Sequence, residues 1–290
     1  MTAADPLFEK AGAGEALTSA ERDALITATD LLGLGMAADE VRRRRHARRM
    51  TFVRVARFEV EGVDAESVSW PAAAGELRLG GTPSDWPRAI ASVRTLVARS
   101  GGIPVTGFSL ADLEAAGLGV LSQLAEAGLA AIAAAPIDRL SDPEAALSAA
   151  RAAGLPVLRL TVEQSPAASR VAMLDRAAEL TRRWPSIQAF APLPRSAGGE
   201  MPSTGYEDVR MVALARLLVD VPHVQVDWAL YGPKLAQVAL TFGADDVDAV
   251  SALDDTGAGR RRAPLEEIRR NIVAASGEPT ERDGLFRLRG

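Results

Sequence analysis

The sequence predicts an α/β fold, a (β/α)8 TIM-type barrel, and three observations predict it. Short apolar runs recur eight times, at Thr51–Arg57, Glu76–Leu79, Ile103–Thr106, Ala130–Ala133, Pro156–Thr161, Ile187–Ala191, His223–Trp228 and Asp246–Val250. Helix-length segments lie between most of them: Trp86–Arg99, Leu110–Ala127, Pro143–Ala153, Ala167–Arg183, Tyr206–Leu218 and Pro233–Phe242. Strands alternating with helices are the pattern of a parallel barrel. No Pro/Gly/Ser-rich linker interrupts the alternation, so a single domain over 1–290 is expected. It divides into N-terminal helices over 1–50, a barrel over 51–250, and a C-terminal helix and tail over 251–290.

The flanking elements follow from local signals. Thr18 with Glu21 three residues on is a capping-box pattern before an apolar period through Leu25 and Ile26. A second helix is expected from Asp30 to Arg49, with Leu31, Leu34, Met36 and Val41 on its apolar side. The connection after the first strand, Glu59–Ala74, is acidic and poor in helical period. The end adds a helix over Leu265–Ala275 and an extended segment that packs on the barrel or closes one mouth.

Composition excludes several classes. The chain has 290 residues, 48% of them hydrophobic, which is enough for a large core. A net charge of −5 gives no global reason to expect nucleic acid. There is no cysteine, which removes disulfides, thiolate metal sites, cysteine nucleophiles and thiolate-held iron–sulfur clusters. The two histidines, His46 and His223, are not expected to meet, so no metal site is expected. No run approaches the roughly 20 apolar residues of a membrane span, and no signal-peptide pattern opens the chain, so a cytoplasmic protein is expected.

Strand alternation assigns the barrel interior. Residues two apart share a face. With Leu77 and Leu79 toward the helices, Arg78 turns inward, and Leu158 and Leu160 turn Arg159 inward in the same way. Gln225 and Asp227 turn inward on the seventh strand and Asp246 and Asp248 on the eighth, with Arg54 a further candidate. Buried charges need partners or a ligand. Two readings stay open. The charges close on one another as an Arg–Asp network, or Arg78 and Arg159 hold a carboxylate or phosphate with Asp227 and Asp248 on the ligand's hydroxyls or base.

The segment Thr204–Val250 carries a resemblance. Thr204-Gly205 with Asp208 and Arg210, Pro222-His223 leading to Trp228, and Gly232-Pro233-Lys234-Leu235-Ala236-Gln237 with Phe242-Gly243 resemble the C-terminal part of aminofutalosine synthase and cyclic dehypoxanthinyl futalosine synthase. These are radical S-adenosylmethionine enzymes of menaquinone biosynthesis, and the enzymes that make the deazaflavin chromophore share the pattern more loosely. Gly277–Asp283 resembles the family's end, and Asp30-Leu31-Leu32 with Leu34, Ala37, Asp39, Val41 and Arg42 its start. The resemblance implies a radical-enzyme barrel.

The departures fall on cofactor contacts. Where the family carries a CxxxCxxC loop for a [4Fe–4S] cluster, this chain has Glu59–Trp70, EVEGVDAESVSW. Where the family has a glycine-rich turn beside S-adenosylmethionine, it has Ala133-Ala134-Ala135-Pro136. Asp254, before Asp255-Thr256-Gly257, stands in place of a family histidine, and Ala249-Val250 in place of Gly-Thr. Neither the cluster nor S-adenosylmethionine is therefore expected.

Other signals have plain readings beside the functional ones. Arg42–Arg49, RRRRHARR, reads as a solvated helix end, with His46 in it. His223, at the N-terminal end of a strand, reads as a structural hydrogen-bonding group. Gly232-Pro233-Lys234 opens a helix that either binds an anion or simply starts there. Gly80-Gly81 reads as a vestigial ligand turn, and Trp228 and Tyr231 as packing or ring stacking. The expected function is a menaquinone-pathway pseudoenzyme that binds a small anionic or nucleoside ligand. The rivals are a non-radical lyase or hydrolase on a futalosine-like nucleoside or chorismate-derived acid, and a structural partner of an active paralogue or of itself. The ligand-binding candidates are Arg78, Gly80, Gly81, Arg159, Asp227, Trp228, Asp246 and Asp248.

Overall fold

A computed structural model describes residues 6–64, 68–164, 169–196, 204–253 and 264–289. All eight expected strands form: β1 (Arg49–Glu59), β2 (Glu76–Gly80), β3 (Val105–Ser109), β4 (Ala131–Pro136), β5 (Arg159–Val162), β6 (Ala189–Pro194), β7 (His223–Asp227) and β8 (Asp246–Ser251). Every neighbouring pair is parallel, and β1 pairs with both β8 and β2, which closes the ring. The (β/α)8 barrel is thus the observed fold.

The helices are α1 (Pro6–Ala13), α2 (Ser19–Thr27), α3 (Leu31–His46), α4 (Trp86–Arg99), α5 (Leu110–Ala116), α6 (Val120–Glu126), α7 (Pro143–Ala152), α8 (Arg170–Arg183), α9 (Gly205–Leu218), α10 (Trp228–Leu240) and α11 (Pro264–Ala274). The capping box of α2 is complete, with Glu21 N–H bonded to Thr18 and the Glu21 carboxylate on the Thr18 N–H. The helix expected over Leu110–Ala127 is two helices, because Gly117 at φ 93° terminates α5. Helix α10 breaks at Gly232 (φ 73°), so Pro233 restarts it as the sequence reading placed it. Among the described residues no helix is long and apolar enough to cross a membrane. The Asp254–Gly257 substitution lies outside the described residues.

The extended end is a ninth strand, β9 (Glu278–Glu281), parallel to the first half of β1. The first half of β1 pairs with β9 and its second half with β2, so the tail completes the wall beneath β2. A Cβ at Gly75 would lie 2.9 Å from the Arg282 carbonyl, which is why glycine precedes β2 where the tail crosses. Arg282 follows β9 and is buried.

Candidate functional site

The barrel interior holds the charges that alternation placed there. Leu77 and Leu79 are buried against the helix layer, while Glu76 and Arg78 meet across the lumen with β3 and β8. Arg78 gives Nε and Nη2 to Glu76, both at 2.7 Å, and Nη1 and Nη2 to Asp248, both at 2.8 Å. Arg159 bonds Asp248 through Nη1 and the Ala133 carbonyl through Nε at 2.9 Å. Gln225 accepts from Arg159 and donates to Asp246 at 2.6 Å. Asp246 takes the Arg282 fork at 2.6 and 2.7 Å and the Thr51 hydroxyl at 2.6 Å. Three guanidiniums therefore face three carboxylates, Glu76, Asp246 and Asp248, in one closed set. Burial alone would raise the Asp248 carboxyl, but Arg159 and Arg78 outweigh it and hold it well below the usual carboxylate range. Arg54 has a different place: it forks onto Glu281 of β9 at 3.0 and 3.1 Å.

Above this set, at the C-terminal ends of the strands, lies an open pocket of about 340 Å³. That end is where barrel enzymes place their sites. Arg78, Gly80 and Gly81 border it, as do Ala133, Ala134 and Pro136. The sequence reading missed its rim: Arg57 and Glu59 from the end of β1, Asp112 from α5, Glu163 after β5 and Arg195 after β6. Asp227 joins the two rim arginines. It sits 3.4 Å from Arg57 and 3.2 Å from Arg195 while capping α10 through the Leu230 N–H. Gly81 (φ 83°) has Glu59 Oε2 2.9 Å from where a Cβ would stand, so the turn needs glycine. Thr161 shares the inward face of β5 with Arg159, is fully buried, and its hydroxyl has no partner among the described residues. Arg159, Asp246 and Asp248 lie below the pocket. Trp228 is half-buried and packs on the core, and the Tyr231 hydroxyl donates to the Pro194 carbonyl.

At the opposite end the two histidines meet, contrary to expectation. His46 is not on a solvated helix end: its ring stacks on His223 with centroids 4.9 Å apart. His46 ends α3 and His223 begins β7, and the packing of α3 along α9 carries one onto the other. Pairing across 177 positions leaves no local sequence signal.

No family model matches the chain. In sequence it is 32% identical over 134 residues to aminodeoxyfutalosine synthase of Thermus thermophilus, across 41% of this chain and 36% of that protein. It is 51% identical over 47 residues to aminodeoxyfutalosine synthase of Streptomyces coelicolor, across 16% of this chain and 12% of that one. Over these segments the chain is similar to aminodeoxyfutalosine synthase, and it contains no cysteine. It is also similar to 5-amino-6-(D-ribitylamino)uracil--L-tyrosine 4-hydroxyphenyl transferase 2 of Methanosarcina mazei, 35% identical over 99 residues, 31% of this chain and 26% of that enzyme. The matches thus span about a third or less of these relatives' lengths. The fold matches methylornithine synthase (TM-score 0.67, 15% identity, 94% of this chain and 97% of that one). It also matches the [FeFe]-hydrogenase maturase HydG of Carboxydothermus hydrogenoformans (TM-score 0.65, 11% identity, 95% of this chain and 78% of that one). These last two likenesses concern the barrel alone.

The residues of this chain do not fit the cluster that the resemblance implies. After β1 the chain makes a 3-10 turn, Val60–Gly62, whose Glu61 carboxylate accepts from the Ser84 N–H and hydroxyl. Iron–sulfur clusters are held by thiolates, with histidine the occasional substitute. The chain has no thiol, and both histidines lie at the far end of the barrel. Anaerobic reconstitution with iron and sulfide is expected to leave no stoichiometric cluster after desalting. Metal analysis and the visible spectrum check this, and a full cluster per chain would refute it.

Proposed function

We propose that this chain is a non-radical pseudoenzyme of the futalosine pathway of menaquinone biosynthesis. It holds a small anionic or nucleoside molecule of that pathway at the C-terminal mouth and does not transform it. One observation carries the reading. The lumen below is closed by its own charges, yet the pocket above it stays open and polar.

The rim chemistry supports such a ligand. Arg57 and Arg195 share one carboxylate, Asp227, through single contacts, which leaves N–H groups on both forks for an incoming carboxylate or phosphate. Glu59, Asp112 and Glu163 can accept from hydroxyl or amino groups on the same molecule. The glycine turn at Gly80-Gly81 lets a ligand approach the backbone. Arg78 and Arg159 contribute less than the sequence reading gave them, because the lumen carboxylates already hold them.

Calorimetric titration with aminodeoxyfutalosine is expected to show saturable binding, with the ligand recovered unchanged after incubation. Arg195→Ala is expected to weaken binding about ten-fold or more, the worth of a charged hydrogen bond of ~1.5–3 kcal/mol, with the fold intact by circular dichroism. Absence of binding, or consumption of the molecule, overturns the proposal.

A further inference from the structure

His46, His223 and Asp245 are outside the mouth and do nothing in the reading above. They come from three separate segments: the end of α3, the start of β7, and the residue before β8. Asp245 Oδ2 lies 2.5 Å from His223 Nδ1 and 3.3 Å from His46 Nε2, and the three residues each bring one ligand atom within 4.8 Å of the other two. Two imidazole nitrogens and a carboxylate oxygen converging on one point are a donor set that zinc takes.

We propose that His46 Nε2, His223 Nδ1 and Asp245 Oδ2 bind one zinc-class divalent cation at the N-terminal end of the barrel, with water completing the coordination. Tetrahedral zinc with bonds of about 2.0–2.1 Å sets its ligand atoms roughly 3.3 Å apart. The His46–Asp245 separation already has that value, and His223 needs to withdraw by less than about 1 Å to reach it.

The surroundings are arranged as an outer shell. Asp245 Oδ1 accepts from Arg216 Nη2 and from the Val224 N–H at 3.0 Å, which fixes the carboxylate and turns Oδ2 to the histidines. The rings are held in place by stacking, His46 on His223 and His223 on Phe286 at 5.5 Å. Binding would displace two hydrogen bonds, and neither loss strands a buried acceptor. The Pro222 carbonyl, now taking His46 Nε2 at 2.7 Å, also takes Arg216 Nη1 at 3.2 Å. The Asp245 oxygen exchanges the His223 N–H for the metal. The side chains of both histidines are partly exposed, so a cation can enter.

One term opposes binding. Arg216 bonds Asp245, and Arg45 lies on the same side, so their charges weaken the site. Bound there, the cation would fasten α3 and, through Phe286, the tail to the barrel floor. The mouth, at the other end, would be unaffected.

The test uses the full chain stripped with EDTA and titrated with ZnCl2, with MgCl2 as the hard-cation control. The expected result is one zinc per chain, a raised Tm and no response to magnesium. His46→Gln and His223→Gln should each lower zinc affinity at least ten-fold. Cobalt(II) loaded into the wild type should give the intense visible bands of a tetrahedral site, which decides the matter even where a variant fails to fold. No zinc retained, zinc retained equally by both variants, or the weak spectrum of octahedral cobalt overturns the proposal.

Discussion

Replacing Asp248 by alanine is expected to leave the protein barely folded. Asp248 is fully buried and accepts from Arg78 twice and from Arg159 once. Its removal leaves two buried guanidiniums competing for Glu76, with three arginines facing two carboxylates. Breaking a buried pair by removing one partner costs about 3–5 kcal/mol, a large part of a domain's total stability. Asp248→Asn keeps shape and some hydrogen bonding but loses the charge, and should fall between wild type and alanine. The acid side carries a second expectation. The Asp248 carboxyl is held below its ordinary range by Arg159 and Arg78 against the penalty of burial. A depressed carboxylate contributes stability that is fully present above the unfolded value of about 4 and is lost as pH falls toward the folded one. The urea midpoint of the wild type should therefore fall with pH below about 4, and Asp248→Ala should lose part of that slope. A variant that melts within a degree or two of wild type would mean the lumen charges do not support one another.

The lumen was legible in part, and the part that was missed has a physical cause. Alternation in Glu76–Leu79, Leu158–Leu160 and Asp246–Val250 placed Arg78, Arg159, Asp246 and Asp248 inside, because leucine and valine toward the helix layer leave only one face for the charges. Arg54 defied the method because its strand is bordered on both halves, by β9 below and β2 above, and Glu281 of β9 provided its partner. Arg282, which completes the charge balance, lies 36 positions after its partner Asp246 in a segment with no strand pattern of its own. The rim arginines were hidden for another reason. Arg57 ends a strand whose burial does not alternate cleanly, and Arg195 follows Pro194 in a connection, where no period exists to read. The stacked histidines needed the packing of α3 along α9. Local period shows which face a residue takes, whereas pairing across the barrel depends on closure of the whole chain.

Arg282→Ala tests whether the tail is part of the barrel or an appendage to it. Arg282 is buried, forks onto Asp246, donates Nη1 to the Asp283 carbonyl at 2.9 Å and lies 3.9 Å over the Phe286 ring. Alanine leaves Asp246 with the Thr51 hydroxyl and the Gln225 amide but with no direct cation, a loss of about 3–5 kcal/mol. The neighbouring Glu281→Ala removes a largely buried partner of Arg54 and Arg289 that is nearer to solvent than Asp246, and should cost less, about 1.5–3 kcal/mol. The two changes are adjacent in sequence and both remove a tail ion pair, but only Arg282 reaches the lumen, so the contrast separates the lumen pair from the other tail contacts. Hydrogen exchange gives the location. In Arg282→Ala the amides of β9 and the first half of β1 should gain most in exchange rate, because they pair with each other, while those of β4 to β6 across the ring should change less. The double variant Asp246→Asn, Arg282→Met removes both charges together. It should recover a good part of the loss, since an uncharged pair leaves no buried ion uncompensated, giving a coupling of about 2 kcal/mol in the cycle. Additive losses in that cycle, or exchange that rises evenly around the barrel, would mean that Arg282 stabilises the protein by packing rather than by its charge on Asp246.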